Sequence, residues 1–252
     1  MYANYHTHTK RCQHAQGEDR EYVEAAIRAG IQVLGFSDHC PWVYPGDYVS
    51  NMRMAPHEVE GYFSSLEGLR KEYAGDIDIL IGFEAEYVPS LMEEQDRLLA
   101  DYPLDYMILG QHFLGTEPDS TYTGFANQDE QFLSDYVNLV IEGMETGRYL
   151  YMAHPDVINF TGEDAIYRKH MTRLCRYLKE KNIPVEINML GAYQSRHYPS
   201  EKFLQIVKEA GNSCIVGIDA HEPGELTNDY GYQVCRELIQ KYQLPVVEKL
   251  SI

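Results

Sequence analysis

Histidines and carboxylates recur at the ends of short apolar runs along this 252-residue chain. The first run ends in His6 and His8, which lie on one face of a strand because successive side chains alternate. Two imidazoles placed in this way can share one metal ion. Further residues of these types end later runs or follow them closely: Asp38, His39, Glu84, Glu86, His112, His154, Glu186, Asp219 and His221. His14 lies in the segment after the first run.

The number of imidazoles indicates what this set of residues does. A single histidine at a strand end is more often a hydrogen-bonded structural residue than a ligand. Many imidazoles in one cavity would repel one another when protonated and would leave polar atoms unpaired when buried. Bound cations relieve both problems, and Glu84 and Asp219 add charged ligands. The pattern therefore predicts a metal centre of Zn, Fe or Mn, which accept imidazole and carboxylate ligands.

Short strands alternate with amphipathic helices and would position these residues. The predicted strands are 2–7, 33–37, 77–83, 106–110, 149–153, 184–188 and 214–218, and the predicted helices are 18–29, 56–73, 91–100, 129–145, 163–181, 199–210 and 232–242. This alternation predicts an α/β fold with a parallel sheet. We expect one domain, 1–252, in which the sheet closes into a barrel and the metal site lies at the C-terminal ends of the strands.

Composition and charge exclude several partners. The formal net charge of −18 repels polyanions, so we expect no binding of nucleic acid. A small phosphate ester remains compatible, because bound cations invert the local field. No apolar run approaches about 18 residues, so we expect no membrane association. The oligomeric state stays open.

The five cysteines indicate a reducing environment. They are odd in number and scattered, and none forms a CxxC pair. This usage is typical of free thiols in a cytosolic protein rather than of a disulfide framework. The N-terminus carries no basic-then-apolar signal, and the sequence therefore predicts a cytoplasmic protein.

Taken in order, the motifs of this chain resemble those of the PHP (polymerase and histidinol phosphatase) superfamily. They are His6-Thr7-His8, Ser37-Asp38-His39, Gly82-Phe83-Glu84-Ala85-Glu86-Tyr87, Gln111-His112, Ala153-His154-Pro155-Asp156 and Asp219-Ala220-His221. The resemblance implies a distorted seven-stranded (β/α)7 barrel with three divalent metal ions. It implies that the first metal binds His6, His8 and Asp219. It further implies that Glu84 bridges the first metal to a second one, which His112 and His154 complete. The third metal would bind His14, His39 and His221.

Segments that are less specific than these motifs resemble the stand-alone histidinol-phosphate phosphatase branch of the superfamily. They are the Arg53-Met54 segment, the run from Glu84 to Pro89, and the segment 188–199 with Arg196, His197 and Tyr198. This branch implies hydrolysis of L-histidinol phosphate to L-histidinol and phosphate, a step of histidine biosynthesis. A metal-activated water would attack the phosphorus, with Glu84 and Asp219 as metal-binding catalytic carboxylates.

Several residues are predicted to act around the metals. Asp38 either orients a neighbouring ligand or protonates the leaving oxygen, and the structural alternative is that it caps the turn after its strand. Arg196 suits a bidentate phosphate contact, although a solvated loop arginine is the alternative. His197 is a further candidate for the site. Ser90 and Glu117 are candidates for binding the amine and imidazole of the substrate. His57 and His170 lie within helical segments and are expected to be surface or packing residues.

Two other functions fit the same residues. The first keeps the metals and changes the substrate to a nucleotide or to phosphotyrosine. The second is a metal-binding module without enzymatic activity, and the full set of ligands disfavours it.

Overall fold

The computed structural model describes residues 1–252 and has the predicted α/β class, with strands that pair in parallel. The chain forms two compact units. The first unit contains Met1–Ile108, Ile218–Asn228 and Glu248–Ile252, and the second contains Leu109–Gly217 and Asp229–Val247. No helix is long and apolar enough to cross a membrane. All five cysteines are buried and free, as predicted.

A parallel sheet forms the centre of the first unit. Its strands lie in the order β1 (Ala3–Asn4), β2 (Val33–His39), β3 (Asp78–Ala85) and β4 (Tyr106–Leu109). A parallel bridge between Thr7 and Ala220 adds the return segment beside β1. Every residue of β2 is buried, which explains its continuous apolar run. The helices of this unit are α1 (Asp19–Arg28), α2 (Val59–Glu72) and α3 (Met92–Leu99).

The side chain of Tyr106 in β4 contacts β2 and the segment that follows β1. Its hydroxyl lies 2.9 Å from the carbonyl oxygen of Tyr5 and 3.0 Å from that of Phe36. Two glycines make room for its ring: a Cβ at Gly82 would lie 2.6 Å from Tyr106 ring and backbone atoms, and one at Gly35 would lie 2.3 Å from the hydroxyl. Glycine at these positions therefore allows a buried tyrosine to hold the strands in register.

The second unit has the same alternating construction. β5 (Val185–Asn188) and β6 (Cys214–Gly217) pair in parallel, and single bridges join Leu109 to Met152, Met152 to Val185, and Cys214 to Val246. The helices are α4 (Glu130–Glu145), α5 (Asp164–Glu180), α6 (Met189–Tyr193), α7 (Glu201–Ala210) and α8 (Asp229–Tyr242). The buried positions of α4, among them Leu133, Val137 and Val140, follow the helical spacing of its apolar residues.

The predicted count of seven strands is not reproduced, because the chain has six strands and eight α-helices. The segment 149–153 pairs through a single residue, Met152, on each side. Its hydrogen bonds to Leu109 come from Tyr151 and Ala153 only, and one bridge is too short to form a strand. The short helix α6 was not predicted.

Candidate metal centre

The first unit brings two buried imidazoles against two buried carboxylates. His6 and His8 follow β1 two residues apart and point to the same side. The Nε2 atom of His8 lies 3.1 Å from Asp219 Oδ1 and 3.5 Å from Glu84 Oε2. The Nε2 atom of His6 lies 3.4 Å and 3.5 Å from the same two oxygens. The ligand atoms of His6, His8 and Asp219 lie within 4.8 Å of one another, which is close enough to hold one metal ion.

A second set of imidazoles lies beside the first. The ligand atoms of His14, His39 and His221 also lie within 4.8 Å of one another. His39 Nδ1 is 3.1 Å from Glu84 Oε2, so this carboxylate faces residues of both sets. The rings of His8 and His221 are stacked, with centroids 4.2 Å apart. Seven of the nine residues that the resemblance implies as ligands are therefore clustered within the first unit.

The hydrogen bonds of His14 and His221 show what this cluster can hold. His14 Nδ1 lies 2.7 Å from the carbonyl oxygen of Cys12, and His221 Nδ1 lies 2.9 Å from that of Asp219. A carbonyl oxygen only accepts, so each Nδ1 donates and each neutral ring keeps a lone pair on Nε2. The two Nε2 atoms face each other at 3.1 Å. Two lone pairs at this distance repel unless a cation lies between them, so the donor set fits a divalent metal ion.

The charges in the cluster support the same interpretation. Burial and the neighbouring His8 lower the pKa of His221 to about 3, so this ring stays neutral. Burial lowers the pKa of His14 as well. Burial alone would raise the pKa of Asp219, but His6 and His8 hold it well below its usual value. His14 and His221 therefore present neutral imidazole nitrogens and Asp219 an ionised carboxylate, which are the protonation states that metal ligands require.

Asp38 lies on the opposite side of the His8 ring from these carboxylates. It is fully buried, and its Oδ1 atom lies 3.6 Å from His8 Nδ1 and accepts the backbone N–H of His39 at 2.9 Å. Its Oδ2 atom accepts the hydroxyl of Thr9. Asp38 thus accepts the N–H of the last residue of its own strand and also faces a predicted ligand.

A buried ion pair supports the end of β3. Arg53 and Glu86 form two hydrogen bonds of 3.0 Å, and only 1% and 2% of their side chains are exposed. Trp42 Nε1 donates to Glu86 at 3.2 Å, and Arg53 also donates to the carbonyl oxygen of Cys40. The sequence marked Glu86 as a carboxylate near a strand end and Arg53 as part of a segment that resembles the family branch, and nothing in it indicated that they pair.

The second unit holds the other two predicted ligands. The rings of His112 and His154 are buried, with centroids 5.0 Å apart. His154 has a left-handed backbone, with φ of 29°, and its N–H donates to Glu186 Oε2 at 2.7 Å. A Cβ at Gly217 would lie 1.9 Å from Glu186 Oε1, so glycine makes room for this carboxylate. Glu186 fixes the His154 backbone, a role that sequence reasoning missed although it placed a carboxylate at this strand end.

The predicted substrate-binding residues lie in several places. Arg196 is exposed, and its guanidinium contacts the hydroxyl of Tyr198 at 3.1 Å. The Tyr198 ring packs edge-on against His154, with centroids 5.7 Å apart. His197 is exposed, and its Nε2 lies 2.7 Å from the carbonyl oxygen of Val157. Arg196 therefore reaches His154 through one intervening ring.

Two further substrate-binding predictions fall on surface turns. Ser90 is exposed in the turn before α3, and Glu117 begins a short 3-10 helix, Glu117–Asp119. Their roles stay predictions. His57 is exposed in a 3-10 turn, and His170 packs in α5 with its Nε2 3.0 Å from Glu130, as expected for residues outside the site.

Known proteins are similar to this chain in sequence and in fold. A protein of Deinococcus radiodurans named "probable histidinol-phosphatase" is 29% identical over 230 residues, which cover 88% of this chain and 86% of the relative. The histidinol-phosphatase of Bacillus subtilis is 24% identical over 266 residues, covering 92% and 97%. The histidinol phosphate phosphatase of Lactococcus lactis, solved with Zn, L-histidinol and phosphate, superposes with a TM-score of 0.71 at 20% identity, covering 98% of this chain and 95% of that one.

The family itself is matched directly. The model of the PHP domain family matches residues 4–189, which include five of the six motifs quoted above and the strands from β2 to β5. The likeness to the Lactococcus lactis structure extends over almost the whole chain and agrees in fold. The chain therefore belongs to the PHP domain family, as its motifs predicted.

Proposed function

We propose that this protein is a metal-dependent phosphate-monoester hydrolase and that its substrate is L-histidinol phosphate. The observation that carries the metal dependence is the pair of Nε2 atoms of His14 and His221, which face each other at 3.1 Å. His6 and His8, which face Glu84 and Asp219, add a second set of ligand atoms. The names of the relatives support the choice of substrate.

We propose the nine ligands that the family resemblance implies. The residues of the first unit are His6, His8, His14, His39, Glu84, Asp219 and His221, and those of the second unit are His112 and His154. They would hold three divalent ions. The Lactococcus lactis structure contains Zn, and the ligand types also suit Fe and Mn.

The roles of the residues follow from their positions. When bound, metal ions lower the pKa of a water molecule and neutralise charge on the phosphoryl oxygens. Glu84 faces His6, His8 and His39 and so keeps negative charge between the two sets of imidazoles. Asp38 faces Nδ1 of His8, and this position favours orientation of the ligand over proton transfer to the leaving oxygen.

We propose that the loop between α6 and α7 binds the substrate. Arg196 carries five N–H donors in a planar fork that matches phosphate, and His197 lies next to it. Ser90 and Glu117 are proposed for the amine and imidazole ends. A cytoplasmic location, predicted from the cysteines, belongs to this proposal as well.

Phosphate release by metal-reconstituted protein tests the substrate. L-Histidinol phosphate is compared with a few nucleotides, p-nitrophenyl phosphate and a phosphotyrosine peptide. We expect kcat/KM for L-histidinol phosphate to exceed the others by orders of magnitude. If it is hydrolysed no better than the other esters, the substrate assignment is wrong and a nucleotide or phosphotyrosine takes its place. Metal-loaded protein that hydrolyses none of them would indicate a metal-binding module.

A further inference from the structure

A chain of polar contacts leads from His8 away from the candidate metal centre, and its first contact joins His8 Nδ1 to Asp38 Oδ1 at 3.6 Å. Asp38 faces His8 Nδ1 with one oxygen, and its other oxygen accepts the hydroxyl of Thr9. Asp38, Thr9 and His8 are all fully buried. Because water does not reach these groups, the protein alone decides in which direction each hydrogen bond runs.

Arg11 determines the direction of the Thr9 hydroxyl. The oxygen of this hydroxyl lies 3.2 Å from Arg11 Nη1 and 3.4 Å from the backbone nitrogen of Arg11. Both groups can only donate, so they occupy the acceptor positions of Thr9. The single hydroxyl proton is then directed to Asp38. Asp38 in turn accepts the N–H of His39 and the hydroxyl of Thr9, and its carboxylate faces His8 Nδ1 as the only acceptor that these contacts place there.

A second acid keeps Arg11 in place. The guanidinium forms a bidentate pair with Asp19 at 2.8 Å and 2.9 Å, and Ser65 donates to the same carboxylate at 2.6 Å. Asp19 is 5% exposed, and Arg11 also lies over the ring of Tyr62, 5.5 Å from its centroid. Arg11 is thus locked by α1 and α2 and cannot follow small movements of the Thr9 side chain.

We infer that Arg11 is a positioning residue that acts through Thr9 and Asp38 to fix the orientation and tautomer of His8. A neutral His8 ring that keeps its proton on Nδ1, toward Asp38 at 3.6 Å, has its lone pair on Nε2, which faces Glu84 and Asp219. The inference rests on the proposed role of His8 as a metal ligand. It extends the set of residues that determine metal affinity from the ligands to a partly buried arginine at the start of the chain.

Metal affinity of the substrate-free protein tests this inference. The affinity for Co²⁺ and Zn²⁺ is measured by competition with a chromophoric chelator, together with the visible spectrum of the Co²⁺ form. We expect Arg11→Ala to weaken binding at one site about tenfold and to change the Co²⁺ spectrum, as loss of an outer partner of a ligand histidine does. We expect Arg11→Lys to recover part of the affinity, because lysine still offers a donor to Thr9.

The neighbouring Arg20 provides a matched control. It lies on the same surface and pairs with Glu72, and neither residue belongs to the chain of contacts that leads to His8. We expect Arg20→Ala to retain the metal affinity and the spectrum of the unaltered protein. Unchanged affinity in Arg11→Ala, or an equal loss in Arg20→Ala, would overturn the inference.

A double variant separates this role from a general loss of stability. If Arg11 acts through the hydroxyl of Thr9, then Arg11→Ala adds no further loss of affinity in a Thr9→Val background. Additive losses would show that Arg11 acts by another route and would refute the inference. The proposed function is tested apart from this, by phosphate release from the unaltered protein. A protein that hydrolyses L-histidinol phosphate, and whose Arg11→Ala variant binds metal normally, refutes the inference alone.

Discussion

Replacing Glu84 by glutamine removes one negative charge from the candidate metal centre with almost no change of shape. Only 1% of the Glu84 side chain is exposed, and its Oε2 atom lies 3.1 Å from His39 Nδ1 and 3.5 Å from Nε2 of both His6 and His8. The same carboxylate thus faces three of the proposed ligands. Glu86, two residues further along, is equally buried but pairs with Arg53. The two glutamine variants therefore separate metal binding from folding stability.

The size of each effect follows from the charge that loses its partner in the variant. Removing one partner of a buried pair of charges costs about 3–5 kcal/mol. For Glu84→Gln this cost falls on metal binding, so we expect the affinity to fall by about two to four orders of magnitude. For Glu86→Gln it falls on the free energy of unfolding, because the buried Arg53 loses the carboxylate that neutralises its charge, and we expect the Tm to fall by about 6–20 °C.

The assay pairs metal affinity, measured by chelator competition, with thermal unfolding of the metal-free protein. We expect Glu84→Gln to lose metal affinity while its metal-free Tm changes little, and Glu86→Gln to show the reverse. Glu84→Gln protein with the affinity of the unaltered protein would refute the reasoning. A loss of metal affinity as large in Glu86→Gln as in Glu84→Gln would contradict it too, since it would show that burial alone explains the effect.

Three further predictions test the fold, the substrate loop and the link between metal and stability. Gly82→Ala places a Cβ 2.6 Å from the backbone oxygen of Tyr106 and should lower the urea midpoint of unfolding. Gly68→Ala, which has open space around it in α2, should raise the free energy of unfolding by up to about 1 kcal/mol. Equal effects of the two variants would contradict the packing described for Tyr106. Arg196→Ala should raise KM for L-histidinol phosphate about tenfold or more, because charge-assisted hydrogen bonds to the phosphate are lost. Arg168→Ala, which removes an exposed arginine paired with Glu209, should leave KM unchanged. An unchanged KM in Arg196→Ala would show that this residue does not bind the substrate. Removal of metal by a chelator should lower the Tm, because metal at about 100 times its Kd stabilises the folded state by about 2.7 kcal/mol. Adding the metal back should restore the Tm. A Tm that does not respond to metal would contradict binding at structured sites.

Local patterns in the sequence predicted most of the elements. The apolar run of β2 and the helical spacing in α4 are properties of the residues themselves, so both were found within a few positions. The segment 149–153 resembles a strand equally well, but strand formation depends on pairing, which Met152 alone provides. Helix α6 has five residues, too few to show a period, and its clearest signal is Asn188, whose side chain caps it by accepting the N–H of Gly191.

The candidate site was predictable where residue type alone carries the chemistry. Imidazoles and carboxylates at strand ends are visible in the sequence, and in the first unit the parallel register brings such ends together, as with His39 opposite Glu84. The outer contacts were not predictable, because they join residues far apart in the chain. Arg53 pairs with Glu86, and the backbone N–H of His154 donates to Glu186. The local sequence around these residues does not indicate either contact.

The central claim is that the clustered histidines and carboxylates bind metal ions in order to hydrolyse a phosphate ester. The most direct test is a titration of metal-free protein with Zn²⁺ or Mn²⁺, in which phosphate release from L-histidinol phosphate is followed at each metal-to-protein ratio. We expect no hydrolysis before metal is added, and activity that rises with metal and reaches a plateau at the proposed three ions per chain. Hydrolysis by fully stripped protein, or none at any metal loading, would contradict it.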